Sequence, residues 1–128
     1  MPRILLIEDE EEVREVVKHH LTNANYEVVE AENGEEAIQK IKEGSNPVEV
    51  DAAICDVRMP KINGIEAVSY FQEEFPHLPV IIMTGYPETD MAIDLLKKGV
   101  KEYLVKPVEK DVLLEAVEKA VTERTWPA

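Results

Sequence analysis

The sequence predicts an α/β domain in which five parallel strands alternate with five helices that cover both faces of one sheet. Three observations carry this. Short apolar runs alternate along the whole chain with segments of helical periodicity. Each joining segment is long enough for a right-handed crossover, which makes the strands parallel and sends helices to both sides. Four polar islands, Glu8-Asp9, Asp56, Thr84 and Lys106-Pro107, each stand where an apolar run ends. Repeats, low-complexity tracts and internal linkers are absent from the sequence.

Arg3–Ile7 reads as a buried strand. Val13, Val16, Val17, His20, Leu21 and Ala24 then recur at helical spacing, with His20 expected half-buried on that apolar face. Tyr26–Ala31 is a less apolar strand, suited to an edge. Asn33 should cap the next helix, with Glu36 reaching back as in a capping box, and Gly44 should end it in a left-handed conformation. Ser45–Val50 reads as a loop and Asp51–Cys55 as a strand covered on both faces. Met59-Pro60 and Asn63-Gly64 punctuate a loop before a helix bearing Ile65, Val68, Phe71 and Phe75. Pro76 and Pro79 bound a turn into the strand Val80–Thr84. Glu88–Lys98 is expected to be a helix stopped by Gly99, with Lys97 and Lys98 set against its dipole. Lys101–Val105 is the fifth strand. The last helix starts near Glu109 and shows Leu113, Val117, Ala120 and Val121 on one face, and Trp126-Pro127-Ala128 forms a frayed tail.

A chain of 128 residues makes one domain with a genuine core. Its 14 basic and 27 acidic residues give a formal charge of -13, which argues against binding nucleic acid or an anionic membrane surface. No apolar run reaches the roughly 18 residues of a membrane span, and the N-terminus lacks a signal-peptide pattern. The single cysteine, Cys55, excludes an internal disulfide and lies in a strand, where an inert core thiol is expected. The expected compartment is the cytoplasm.

Parallel strands bring all four islands to the carboxyl edge of the sheet, where open α/β sheets bind ligands. Taken singly, each island has a plainer reading. Glu8-Asp9 suits the start of a helix dipole, Thr84 an ordinary strand end, Lys106 a surface position and Tyr103 strand packing. Together they supply three carboxylates, a hydroxyl and an ammonium. Two carboxylates about 4 Å apart repel by about 4 kcal/mol at an effective dielectric near 20, so the group needs a cation. A hard divalent ion, Mg²⁺ by availability, meets that need. Such a site can pass a phosphoryl group to a carboxylate.

The stretches Leu5-Leu6-Ile7-Glu8-Asp9-Glu10, Asp56-Val57-Arg58-Met59-Pro60 with Gly64 following, Met83-Thr84-Gly85 and Tyr103-Leu104-Val105-Lys106-Pro107 carry a family resemblance. From Arg3 to Val121 the chain resembles the receiver domain of bacterial two-component response regulators, the CheY-like family. The resemblance implies a doubly wound, flavodoxin-like sheet of strand order 2-1-3-4-5. It also implies a receiver domain over 1–123 with a tail at 124–128. Asp56 then corresponds to the phosphoacceptor, which takes its phosphoryl group from a phosphohistidine on a sensor histidine kinase or phosphotransfer protein. Asp9, Asp56 and the Arg58 carbonyl would hold Mg²⁺ directly and Glu8 through a water. Lys106 and Thr84 would contact phosphoryl oxygens, and Gly85 would leave the pocket open. Thr84 and Tyr103 match switch positions, Arg58 and Tyr86 match positions that tune phosphate lifetime, and the Lys106–Pro107 bond would be cis.

The output face implied is Glu88–Lys98 with Lys101–Val105 and the last helix, acting on a downstream protein or output domain. A protein of this kind is a signalling phosphoacceptor, not an enzyme, and catalyses only its own phosphorylation and slow dephosphorylation. It would be a monomer or a weak phosphorylation-dependent dimer, without direct nucleic-acid or membrane binding. Two departures stand out: Glu8 occupies a position more often aspartate, and Gly44–Val50 is long for its connection. Three rivals fit less well. An aspartate-nucleophile phosphatase wants a second aspartate two residues after the nucleophile, where this chain has Arg58. A receiver-like interaction module that is never phosphorylated has no need of the full set of islands. A nucleotide-binding domain wants a Gly-rich loop after the first strand. Met1 and the overall length favour a stand-alone receiver over a piece of a larger regulator.

Overall fold

The structure, a computed structural model, describes residues 2–56, 64–85, 94, 97 and 99–123. Five strands, β1 (Arg3–Ile7), β2 (Glu27–Ala31), β3 (Val50–Cys55), β4 (Val80–Thr84) and β5 (Glu102–Val105), form one sheet in the order β2-β1-β3-β4-β5. Every pairing is parallel. Five helices are described: α1 (Glu11–Asn23), α2 (Gly34–Ile41), α3 (Asn46–Glu49), α4 (Gly64–Glu74) and α5 (Lys110–Glu123). The expected helix Glu88–Lys98 lies mostly outside the described residues, although Asp94 and Lys97 are helical and Gly99 has the positive φ of +99° expected after a helix end.

Side chains alternate across a strand, so the sheet divides the core in two. Leu5, Ile7, Ala53, Cys55 and Ile82 meet Ala37 and Ile41 of α2 and Val68 and Phe71 of α4 on one face. Ile4, Leu6, Ile54, Ile81 and Met83 meet Val17 and Leu21 of α1 and Leu113, Val117 and Ala120 of α5 on the other. The three central strands are buried on both faces, which is why they read as unbroken apolar runs. β2 is an edge, and its residues before Ala31 are exposed or half-buried.

Local chemistry refines several expectations. Asn33 Oδ1 accepts from the Glu36 amide at 2.8 Å, so the cap forms. The Glu36 carboxylate, however, lies 3.1 Å from Lys40 one turn on, which draws it away from the reciprocal half of a capping box. α2 stops at Ile41 with Lys42 as its cap, and Gly44, at φ +51°, serves the turn beyond it. The segment expected to be a loop contains α3. Pro47 stands in that helix's first turn, where a missing N–H costs nothing, and the Ser45 carbonyl accepts from Val48 and Glu49. The strict one-helix alternation is therefore broken between β2 and β3. His20 is half-buried as expected, whereas Val16 is 55% exposed and Arg14 is buried in its stead. The tail 124–128 lies outside the described residues.

Candidate functional site

Buried polar residues gather at one edge of the described sheet. Among the described residues, the buried polar or charged ones are Glu8, Arg14, Asp56 and Thr84. Three of these stand at strand ends on the carboxyl edge, and Arg14 reaches there from α1. Buried charges are costly unless paired, so their collection at one edge marks a site.

Backbone bonds pin each island to its neighbour. The Glu8 amide donates to the Ala31 carbonyl at 3.0 Å, the Asp56 amide to Ile7 at 3.0 Å, and the Lys106 amide to Thr84 at 2.8 Å. Strand ends are thus locked in register before any side chain acts. The Lys106–Pro107 peptide is cis. Lys106 Nζ lies 2.8 Å from Asp56 Oδ2, 2.5 Å from Glu8 Oε1 and 3.8 Å from Glu10 Oε1. The second Glu8 oxygen accepts from the Glu10 amide at 3.1 Å.

Carboxylate oxygens of Glu8, Asp9, Glu10 and Asp56 lie within 4.8 Å of one another. This donor set is all hard oxygen, without the sulfur or imidazole that suits softer metals, and it fits a small divalent cation that keeps several waters. Burial, the largest influence, pushes the Glu8 carboxyl up to about 7 even against its bonds to Lys106 and Glu10. Burial alone would lower the Lys106 ammonium, but its hydrogen bonds to Asp56 and Glu8 and their charges prevail, and its pKa is raised. Cys55, buried beside Asp56, is pushed far up as a thiol by desolvation and then by the carboxylates, as befits an inert core residue.

The structure therefore brings together Glu8, Asp9, Asp56 and Lys106, with Thr84 fully buried at the end of β4. A Cβ built on Gly85 would stand 3.8 Å from Lys106, an ordinary contact, so glycine is compatible with the pocket without being forced by it. Tyr103 is half-buried and packs against the α4-side core, its phenolic oxygen enclosed and without a hydrogen-bond partner among the described residues. Arg58 and Tyr86 lie outside the described residues. Sequence reasoning missed Glu10 and Arg14 as parts of the site. Glu10 extends the acidic run and was available as a signal, but Arg14 enters by a contact made only in three dimensions. Val16 borders a groove of about 440 Å³ beside Lys106 and Pro107, which explains its exposure.

Residues 4–118 match the family described as the response regulator receiver domain. The chain is 36% identical over 121 residues to the chemotaxis protein CheY of Listeria monocytogenes, covering 94% of this chain and 98% of that one. A response regulator receiver domain protein from Clostridium thermocellum superposes with a TM-score of 0.89 at 34% identity over 95% of both chains. The response regulator TrrA of Thermotoga maritima, solved in complex with Mg²⁺-BeF, gives a TM-score of 0.82 at 36% identity over 94% of this chain and 99% of that one. With the fold, the edge cluster and these likenesses agreeing, the chain belongs to the receiver domains of CheY-like response regulators, the phosphoacceptors of two-component signalling.

Proposed function

We propose that Asp56 is the phosphoacceptor of this receiver and that Glu8, Asp9, Glu10, Asp56 and Lys106 form its reaction pocket. The observation that carries this is the Asp56 carboxylate, buried at a strand end, 2.8 Å from Lys106 and inside a four-carboxylate cluster. One Asp56 oxygen attacks the phosphorus of a partner's phosphohistidine, the N–P bond breaks, and the imidazole leaves, giving an acyl phosphate. Such a transfer depends mainly on positioning and charge neutralisation. Lys106 supplies a fixed positive charge for a phosphoryl oxygen, and the Thr84 hydroxyl donates to another. Receiver domains bind Mg²⁺ in this acidic pocket. When bound, the ion neutralises charge on the carboxylates and on the transferring group. Asp9 and Asp56 are the residues assigned to hold it, with the Arg58 carbonyl. Both Glu8 oxygens already have partners within the protein, which supports an indirect role for Glu8.

Receiver domains act with histidine kinases and with output or partner proteins. For this chain we assign a sensor kinase or phosphotransfer protein as donor, and the face of residues 88–98, β5 and α5 as the output. Ile82 pairs with Tyr103, so Thr84, two residues on, shares a sheet face with that ring. Movement of Thr84 toward a phosphoryl group would release space beside Tyr103. The ring is already half-buried, so the switch is a repacking of a partly buried ring. A single hydrogen bond of about 1–3 kcal/mol falls short of the roughly 5.5 kcal/mol needed for a complete switch, which makes a graded shift the expected response. No described helix is long and apolar enough to cross a membrane. The cytoplasm is the compartment proposed, and 1–123 the domain.

Acetyl phosphate with Mg²⁺ should add one phosphoryl group, detected by intact mass. Asp56→Asn or chelation with EDTA should remove it. Equal labelling of Asp56→Asn overturns the assignment.

A further inference from the structure

Arg14 belongs to none of the polar islands, yet it is 9% exposed and tied to them. Its Nη1 donates to the Glu8 backbone carbonyl at 2.8 Å. Nε lies 3.4 Å from Glu30 and Nη2 3.8 Å from Glu32, both at or just beyond the end of β2. The guanidinium is thus braced between α1 and β2 while one arm holds the turn that leaves β1.

Several backbone groups of that turn have fixed partners. The Glu8 amide is bound by Ala31, the Glu10 amide by the Glu8 carboxylate, and the Glu10 carbonyl by the Arg14 amide at 2.9 Å. The Glu8 carbonyl is taken by Arg14. Because each peptide unit is planar, the Glu8 carbonyl bond holds the plane entering Asp9 and the Glu10 amide bond holds the plane leaving it, and the two planes together set the direction of the Asp9 Cα–Cβ bond. A charge-assisted bond from a planar fork holds direction better than a neutral one.

We propose that Arg14 is a positioning residue for the cation pocket. By holding the Glu8 carbonyl it aims the Asp9 carboxylate into the cluster before any ion arrives. This rests on the reading of Asp9 and Asp56 as the cation ligands. The plainer role, a salt-bridge tie between α1 and β2, would affect stability but not the affinity of the folded protein for Mg²⁺.

Arg14→Met in the full chain separates the two. Glu30 keeps Lys18 at 3.0 Å and the Glu32 side chain is 66% exposed, so the change strands no buried carboxylate. Positioning predicts that the Mg²⁺ dissociation constant, by isothermal titration calorimetry, rises about tenfold for the lost charge-assisted bond. The Mg²⁺ concentration for half-maximal acetyl phosphate labelling should rise alike, while the rate at saturating Mg²⁺ stays within about twofold of wild type. Arg14→Lys, which keeps the charge without the fork, should fall between, at about threefold. It carries the test alone if Arg14→Met does not fold. A dissociation constant unchanged in the folded variants overturns the proposal, whatever happens to their unfolding midpoints. Asp9→Asn serves as the control: if it leaves Mg²⁺ affinity intact, the pocket reading itself fails. Loss with Asp9→Asn and none with either Arg14 variant overturns only the role of Arg14.

Discussion

At the amino edge of the sheet, the Arg3 guanidinium lies 3.1 Å from Glu27 and 3.0 Å from Glu49 and donates to Ser45 and Asn46. Its backbone amide donates to Asp51 at 2.9 Å, where the β1–β3 register shifts. At the carboxyl edge, Lys106 faces Glu8, Asp56 and Glu10, with Asp9 in the same cluster. Each edge gathers acids around one cation, but the surroundings differ. The Glu27 and Glu49 side chains are half in water, at 49% and 55% exposed, whereas those of Glu8 and Asp56 are at 0% and 5%. Water shares the charge at the amino edge, so Arg3 works there as a staple that fastens β2, α3 and β3. At the carboxyl edge carboxylates outnumber the ammonium in a buried place, where burial first and the charge of Asp56 last raise the Glu8 pKa. At the amino edge solvent takes up the excess negative charge. The other edge is left with an excess of buried negative charge, which the divalent cation proposed for this site would offset.

The largest effect should come from Lys106→Met, which leaves Glu8 and Asp56 facing each other without their cation. Urea unfolding in metal-free buffer should show a loss of about 3 kcal/mol, with part of it restored by Mg²⁺. Arg3→Met should cost about 2 kcal/mol through its lost charge-assisted bonds, yet leave Mg²⁺ affinity unaltered. A changed affinity there would break the separation of the two edges.

The Glu8 carboxyl sharpens the contrast through pH. Its folded pKa of about 7 exceeds the ordinary value of 4.5, so the folded protein binds more protons than the unfolded one between those values. Its contribution is present in full below about 4.5 and is lost as pH rises through about 7. Unfolding curves from pH 5 to 8 without metal should show stability falling on this account. Mg²⁺ at about ten times its dissociation constant should add about 1.4 kcal/mol at pH 8, and less at pH 5 where Glu8 is protonated. The smallest effect is expected for Lys18→Met. Its ion pair with Glu30 is solvent-accessible, and the unfolding midpoint should not move measurably.

Much of this was readable in advance because it depends on local pattern. Apolar runs such as Val80-Ile81-Ile82-Met83 declare buried strands, and their shared polarity places every island at one edge. Asn33 announces a helix start by its own conformational preference. What escaped depends on distant partners or on competition. Pro47 and Asn46 read as loop formers, but proline in a first helical turn is equally at home, and Arg3, more than forty residues earlier, holds Ser45 and Asn46 in place. Glu36 had two partners within reach, and the nearby lysine drew its carboxylate. Arg14 and Val16 exchanged places relative to a simple helical stripe because a buried carbonyl at Glu8 needed a donor. Periodicity reports the average face of a helix, not such an exchange.

On this reading the carboxyl edge is destabilised by its own carboxylates until a cation arrives. Urea unfolding of wild type and Asp56→Asn, each with and without Mg²⁺, tests it most directly. Removing one buried negative charge from the cluster outweighs losing the Lys106 contact, so metal-free Asp56→Asn should be the more stable by about 1 kcal/mol. Mg²⁺ should stabilise wild type and leave the variant nearly unmoved. An Asp56→Asn protein less stable than wild type without metal, and stabilised by Mg²⁺ as strongly, would contradict the claim.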